Sequence, residues 1–210
     1  MSDTRWQAMA WKARGWAAVA LLAVALAGAA RAGAARAEAP PSAAPVRSPR
    51  IRQLEAGRDD PALRRLEAVR QMLPEKFRRR RNFAWAIAKI DGLEKVEYFA
   101  HSGVDRRGEI SAASAVAIED ISVRPKKGGR FEVLCVNRDD EVEGEDCFPR
   151  YSDTEYKILE ELASRLPDPS ARGRVRIYTD LPPCASCRHV MEQFLARYPH
   201  VRMQVLYRGY

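Results

Sequence analysis

The chain has 210 residues, of which 46% are hydrophobic and 30% are charged, and its formal net charge is +8. This length and hydrophobic fraction suffice for one core of ordinary size, with some irregular sequence left over. They leave too few residues for a second large domain, so we expect a single one.

The N-terminal segment, residues 1–37, has the pattern of an export signal. Basic residues precede an alanine- and leucine-rich run over 15–30, which is short for a bilayer span. The triplet Ala35-Arg36-Ala37 has the small residues that a signal peptidase requires. We therefore predict cleavage before Glu38 and an exported protein, periplasmic or secreted. Residues 30–32 offer a second cleavage site, and an uncleaved membrane anchor is the alternative.

Removing that segment lowers the positive charge of the chain. The cleavage removes five basic residues and one acidic residue. The remaining chain has 31 basic and 27 acidic residues, a net charge of about +4. Most of the remaining excess is concentrated at Lys76 and Arg78–Arg81. Such a run could bind phosphates. It fits a solvated helix end or loop equally well, because no aromatic residues alternate with the arginines.

The predicted elements begin after a flexible leader, residues 38–58, whose first half is rich in Ala, Pro, Ser and Arg and lacks hydrophobic periodicity. Apolar residues then recur at helical spacing over 61–73, which predicts an amphipathic helix. Two short apolar stretches follow, at 82–90 and 96–100. They are joined through Asp91-Gly92, which predicts a β-hairpin.

The middle of the chain, about residues 102–150, has a weaker pattern. It contains one strand-like run over 131–136 and an acidic loop over 139–146. We predict that it forms an insertion or surface excursion in a domain that covers 59–210.

The C-terminal part regains a clear pattern. A helix is predicted from Ser152 to Pro167, then a strand over 174–179, a helix over 184–198 and a strand over 201–207. Alternation of strands and helices indicates an α/β layered fold in which the last strands are parallel or mixed.

Four cysteines remain after removal of the export signal. An oxidising compartment would allow two disulfides, whereas a metal site would use only the close pair Cys184 and Cys187. Cys135 and Cys147 flank the acidic loop and are a candidate disulfide. Two unpaired cysteines are the alternative for these positions.

The close pair follows Pro182-Pro183 at a predicted helix start, so both thiols lie in the first turn and on one face. The unpaired N–H groups of a helix N-terminus favour thiolate, and so favour metal binding or redox chemistry. A catalytic zinc takes three protein ligands and keeps one place for water. Two cysteines therefore need one further ligand.

The start of the preceding helix offers that ligand. In Ser152-Asp153-Thr154-Glu155, a carboxylate just before the helix could reach a metal while Glu155 lies just inside the first turn. The alternative is a capping box between Ser152 and Glu155, which would account for the glutamate without catalysis.

Together, Asp153-Thr154-Glu155 and Pro183-Cys184-Ala185-Ser186-Cys187 resemble the signature of the nucleic acid and nucleotide deaminases, H-x-E followed by P-C-x-x-C. With the hairpin that ends in His101-Ser102-Gly103, the pattern looks most like the bacterial toxin-deaminase branch of that superfamily. The resemblance covers about residues 83–207. One departure is Asp153, since the usual first ligand is histidine or cysteine.

The resemblance implies a three-layer deaminase-like fold with a central mixed sheet of four to five strands and helices on both faces. It also implies Zn²⁺ held by Asp153, Cys184 and Cys187, with Glu155 as the catalytic proton carrier. His101 and Ser102 would line the substrate pocket, or else form a surface turn. The substrate would be a nucleobase in nucleic acid or nucleotide, and the partner of such a toxin would be a cognate immunity protein.

Two other functions fit the same residues. An exported Cys-x-x-Cys protein could be a thiol–disulfide oxidoreductase, although only 23 residues follow Cys187 and a thioredoxin-like fold needs most of its sheet there. The chain could also be a catalytically inert, zinc-stabilised or disulfide-stapled binding module.

Overall fold

A computed structural model describes residues 47–110 and 121–209 of this chain. The predicted export signal, its cleavage sites and the first part of the leader lie outside the described residues. Within those two ranges, no helix is long and apolar enough to cross a bilayer.

Eight strands and four helices make up the described part of the chain. The strands are β1 (Arg50–Gln53), β2 (Phe83–Ile90), β3 (Glu97–His101), β4 (Ile121–Ser122), β5 (Cys135–Val136), β6 (Phe148–Pro149), β7 (Gly173–Thr179) and β8 (Val201–Tyr207). The helices are α1 (Asp60–Gln71), α2 (Glu75–Arg78), α3 (Thr154–Arg165) and α4 (Ala185–Arg197).

Six of the described strands form one mixed sheet in the order β1-β8-β7-β2-β3-β4. β7 pairs in parallel with β8 and antiparallel with β2, while β2 and β3 form the predicted antiparallel hairpin. β5 and β6 form a separate two-stranded ribbon. The prediction of an α/β fold with a mixed sheet is confirmed, and the sheet has one strand more than the four to five expected.

The sheet has an apolar core on each face, because successive side chains of a strand point to opposite sides. Ala84 and Ala86 of β2 join the core that contains α3 and α4. Phe83 and Trp85 join the core on the other face, which contains α1 and α2. Helices therefore cover both faces, and α3 and α4 lie side by side on one of them.

The predicted leader is wrong at its C-terminal end, because Arg50–Gln53 form β1 at the edge of the sheet. β1 pairs in parallel with β8, and Arg52 forms an ion pair of 2.6 Å with Asp59. Its side chains are mostly exposed, so its position depends on backbone pairing and not on an apolar pattern. The folded unit thus begins before residue 59.

The predicted insertion over 102–150 is only partly a surface excursion. β4 extends the sheet beside β3. Of the strand predicted over 131–136, only β5 is a strand, because preceding backbone groups bond to helix side chains. The N–H of Phe131 donates to Glu160 of α3 at 2.8 Å, and the N–H of Leu134 donates to Ser186 of α4 at 3.0 Å.

Lys157 of α3 is fully buried and ties the helix to the chain that leaves β3. Its Nζ donates to the carbonyl oxygens of His101 and Val104, each at 2.9 Å, and pairs with Asp105 at 2.9 Å. Burial lowers the pKa of Lys157, and the Asp105 carboxylate opposes that shift. The ammonium group thus donates to two backbone carbonyls and one carboxylate at the end of β3.

We predict that Lys157→Met lowers the free energy of unfolding by roughly 3 kcal/mol, because it removes a donor to two carbonyls and the buried cation that pairs with Asp105. Urea denaturation measures the loss. Lys127→Met, at an exposed lysine, is the matched control and should change stability by less than about 0.5 kcal/mol. Equal effects of the two substitutions would contradict this role of Lys157.

Candidate active site

Two helix N-termini meet on one face of the sheet and carry the four residues that the sequence predicts to act. Asp153 is the N-cap residue of α3, and Cys184 is the N-cap residue of α4. Both have extended backbone, and Pro183 favours that conformation for the chain that leads into α4. Glu155 and Cys187 lie in the first turns that follow.

The Asp153 carboxylate and the two thiols form a compact group, called here the Asp-Cys-Cys group. Oδ2 of Asp153 lies 3.2 Å from Sγ of Cys184 and 3.3 Å from Sγ of Cys187. The two sulfurs are 3.3 Å apart. Among the described residues, this is the only cluster of three or more side chains whose potential metal-ligating atoms converge.

The spacing of the Asp-Cys-Cys group suits a small tetrahedral cation. Zinc bonds of ~2.0–2.3 Å place ligand atoms roughly 3.3–3.8 Å apart. The distances of 3.2–3.3 Å are close to that range, and small outward movements of the side chains would reach it. Thiolate and carboxylate are both ligands that zinc accepts. The residues present therefore fit a zinc ion.

The two thiols differ in their proton affinity. The hydrogen bond between the sulfurs lowers the pKa of Cys184 and raises the pKa of Cys187 well above its usual value, and burial raises the latter further. Sγ of Cys184 also accepts the N–H of Cys187, at 3.4 Å. Cys184 is thus the thiol that ionises first, as expected for the residue that caps a helix N-terminus.

Glu155 is buried beside this group, with 1% of its surface exposed. Its Oε2 accepts the Thr154 hydroxyl at 2.8 Å and lies 3.5 Å from Sγ of Cys187. Its Oε1 has no hydrogen-bond partner within the described residues. Burial, and next the charge of Asp153, raise the pKa of Glu155. A buried carboxyl oxygen without a protein partner is typical of a catalytic group or of a site for water or an ion.

The capping box that would explain Glu155 without chemistry is not formed. The N-cap residue is Asp153, and the Ser152 hydroxyl donates instead to Asp105 at 3.2 Å. Glu155 is therefore buried at the site without serving as a helix cap.

Arg150 and Asn82 border the site, and the sequence pattern did not single them out. Nε of Arg150 lies 3.3 Å from Oδ2 of Asp153 and places a fixed positive charge beside it. The Asn82 amide donates to the hydroxyls of Thr154 and Thr179 at 2.8 and 2.9 Å, and it accepts the N–H of Leu181 at 3.1 Å. Asn82 thus joins the starts of β2 and α3 to the end of β7. Both residues lack a motif that would reveal them.

The structure does not place His101 in a substrate pocket. Its side chain is fully buried, Nδ1 accepts the N–H of Gly103 at 3.0 Å, and Nε2 faces the carbonyls of Phe77 and Arg80 at 3.0 and 3.1 Å. Nε2 must carry the proton, and burial lowers the pKa of His101 to about 4. Both ring nitrogens are therefore occupied, Nε2 by the segment before β2 and Nδ1 by the turn after β3.

Ser102 lies behind Asn82 and does not touch the Asp-Cys-Cys group. The Ser102 hydroxyl accepts the backbone N–H of Asn82 at 3.0 Å, and the backbone N–H of Ser102 donates to the Asn82 carbonyl at 2.9 Å. Ser102 thus helps to position a residue next to the site.

The loop between Cys135 and Cys147 contacts the same helix start. The two cysteines form a disulfide with a Cα–Cα distance of 5.2 Å. Within the loop, the Asp140 carboxylate accepts the N–H of Ala185 at 2.6 Å and pairs with Arg188 at 2.7 Å. An acidic group at a helix N-terminus stabilises it. The acidic loop therefore caps α4 next to Cys184.

Comparison with protein-family models agrees with this site. The model of a toxin-deaminase family, described as the BURPS668_1122 family of deaminases, matches residues 66–209. The match covers more than half of the chain, so the chain belongs to this family and the predicted resemblance to the toxin deaminases is confirmed. Comparisons with curated proteins and with solved structures gave no match.

We predict that the double substitution Cys135→Ser/Cys147→Ser lowers the free energy of unfolding by about 3 kcal/mol, because the disulfide closes a short loop in the unfolded chain. Urea denaturation of the oxidised protein measures this. The substitutions leave both thiols of the Asp-Cys-Cys group in place. Unchanged stability relative to the parent protein would show that the loop does not depend on the disulfide.

Proposed function

We propose that this protein is a zinc-dependent hydrolytic deaminase that acts on a nucleobase of a nucleic acid or nucleotide. One observation carries the proposal. The Asp-Cys-Cys group lies directly beside a buried glutamate, and the free oxygen of that glutamate has no partner within the described residues.

Zinc suits this group because its three ligands leave one position for water. Asp153 with two thiolates carries the same summed charge as three thiolates, so the aspartate is an acceptable first ligand. When bound, zinc supplies a Lewis acid that lowers the pKa of water. Arg150 and the N-termini of α3 and α4 offset part of the negative charge of the three ligands.

Glu155 is the proton carrier in this proposal. Hydrolytic deamination adds water to the carbon that bears the exocyclic amine, and ammonia leaves. Glu155 accepts one proton from the attacking water and delivers it to the ring nitrogen. It then carries the proton of the added hydroxyl to the amine, so that the carbonyl forms, the C–N bond breaks and ammonia leaves. The Thr154 hydroxyl holds Oε2 at 2.8 Å, which orients the carboxyl group and leaves Oε1 for the transfer.

Two observations disfavour the alternative functions. A redox Cys-x-x-Cys pair needs no third ligand, whereas here the Asp153 carboxylate converges on both sulfurs at 3.2–3.3 Å, as a metal ligand would. An inert module would explain Glu155 as a cap, and that cap is not formed. Membership of a deaminase family points in the same direction.

We further propose that the protein is exported to the periplasm or secreted and acts as a toxin with a cognate immunity protein. The export signal pattern of residues 1–37 supports export. The toxin-deaminase family supports the toxic role.

Substitution Glu155→Gln should lower deamination at least ~100-fold, because the amide cannot carry the proton. Turnover is measured by mass spectrometry on single-stranded DNA, duplex DNA, RNA and free nucleosides, and zinc content on the same samples. Glu161→Gln, on the same helix, is the control and should keep both activity and zinc. An active Glu155→Gln protein would overturn the assigned role.

Asp153→Ala should weaken zinc binding at least ~100-fold, since it removes one of three ligands. Asp153→His should restore it by returning the usual ligand of the superfamily. Competition with a metal indicator measures the affinities, and Ser152→Ala is the neighbouring control. If Asp153→Ala binds zinc as tightly as the parent protein does, Asp153 is not a ligand.

A further inference from the structure

An open depression of about 440 Å³ lies at the same end of the sheet as the Asp-Cys-Cys group. Four exposed arginines line it, and we call it the arginine depression: Arg78, Arg79, Arg81 and Arg208. Three of the four come from the arginine run whose role the sequence left open.

The depression is built on a buried cation. Arg70 of α1 is 9% exposed and forms an ion pair with Asp180, just after β7. Its Nε donates to the carbonyl of Arg78, and its Nη2 donates to the carbonyl of Arg81 at 3.1 Å. Arg70 thus fixes both ends of the arginine run against the end of the sheet.

The charge of the depression is not balanced internally. Its two carboxylates are already paired, Asp180 with Arg70 and Glu67 with Arg208 at 3.3 Å. Within the described residues, Arg79 and Arg81 have no carboxylate partner, and Arg78 uses only Nε, to bond the carbonyl of Leu73. Three guanidinium groups without a carboxylate partner among the described residues therefore face one open concavity. Such an arrangement attracts phosphates.

Arg81 has a strained backbone conformation. Its φ is +66°, in the left-handed region that side-chain-bearing residues avoid at a cost of roughly 1 kcal/mol. Such conformations concentrate where a side chain has a functional position. Here the strain turns the chain between the exposed arginine run and Asn82.

The arginine depression adjoins the site through two chain segments. Arg81 precedes Asn82, whose amide contacts Thr154 next to Glu155. Leu181 lines the depression, donates its N–H to Asn82, and precedes Cys184 by three residues. A substrate whose base reaches Glu155 would therefore have its sugar-phosphate chain near these arginines.

We propose that the arginine depression binds backbone phosphates of a polynucleotide whose target base enters the site, so that the substrate is a nucleic acid strand and not a free nucleoside. This inference rests on the proposed deaminase function. Arg78, Arg79 and Arg81 offer three positive charges, whereas one phosphodiester carries a single negative charge. The depression therefore suits consecutive phosphodiesters.

The test compares two variants that each remove two positive charges from the full chain. Arg79→Gln/Arg81→Asn removes charge from the depression, and asparagine tolerates the left-handed backbone at position 81. Lys126→Gln/Lys127→Gln removes two exposed lysines from the segment after β4, and neither of them lines the depression. Circular dichroism and thermal unfolding establish that both variants fold.

Binding is measured by fluorescence anisotropy with a labelled single-stranded oligonucleotide between ~50 and ~200 mM salt. We expect the depression variant to raise Kd about tenfold or more and to make the slope of log K against log salt shallower by roughly 1.4. The control variant should match the parent protein. Equal binding by the depression variant, or equal losses in both variants, would overturn the inference.

Two further measurements distinguish a mononucleotide from a polynucleotide ligand, and a failure of the phosphate-site proposal from a failure of the proposed deaminase function. A nucleoside 5′-monophosphate should not compete at concentrations near the oligonucleotide Kd, and full competition there would mean a mononucleotide site and overturn the polynucleotide proposal. Because binding needs no turnover, it is also measured with Glu155→Gln. If binding depends on the arginines but the parent protein does not deaminate the oligonucleotide, the phosphate site is supported and the proposed function is contradicted. If the parent protein deaminates the oligonucleotide but binding does not depend on the arginines, only the phosphate site is contradicted.

Discussion

The contact on which the rest of the site depends is the triangle formed by the Asp153 carboxylate and the sulfurs of Cys184 and Cys187, with edges of 3.2–3.3 Å. Three groups that could each carry a negative charge cannot all be ionised so close together, and mostly out of water, unless positive charge lies among them. The N-termini of α3 and α4 and the guanidinium of Arg150 supply part of that charge. A divalent cation would supply the remainder.

The sheet makes this contact possible because it holds both helix starts at one end. β7 lies between α3 and α4 in the chain and beside β2 in the sheet, so its last residue comes close to the start of β2. Asn82 uses that proximity and bonds to Thr154, Thr179 and Leu181. The orientation of Glu155 therefore depends on three separate parts of the chain.

Fixed charges arrange the loops around the site. Lys157 ties α3 to the chain after β3, Arg70 ties the arginine run to the end of β7, and Asp140 ties the disulfide loop to the start of α4. The first two are buried, and each of them satisfies backbone carbonyls that the sheet and helices leave open. Removing such a group takes a donor from several partners at once, so a few side chains contribute strongly to the positions of these loops.

The sequence alone determined what depends on short-range spacing: three of the four described helices, the hairpin and the last two strands. The association of Asp153 and Glu155 with the two cysteines came from the resemblance to the deaminase signature. Periodicity and helix-start patterns are local, so they appear in consecutive residues. Only the tertiary structure decided the edge strand Arg50–Gln53, the burial of His101, and the places of Arg150 and Asn82. Backbone pairing and contacts between residues far apart in the chain leave no local pattern, because the partner that fixes each group is known only once the chain has folded.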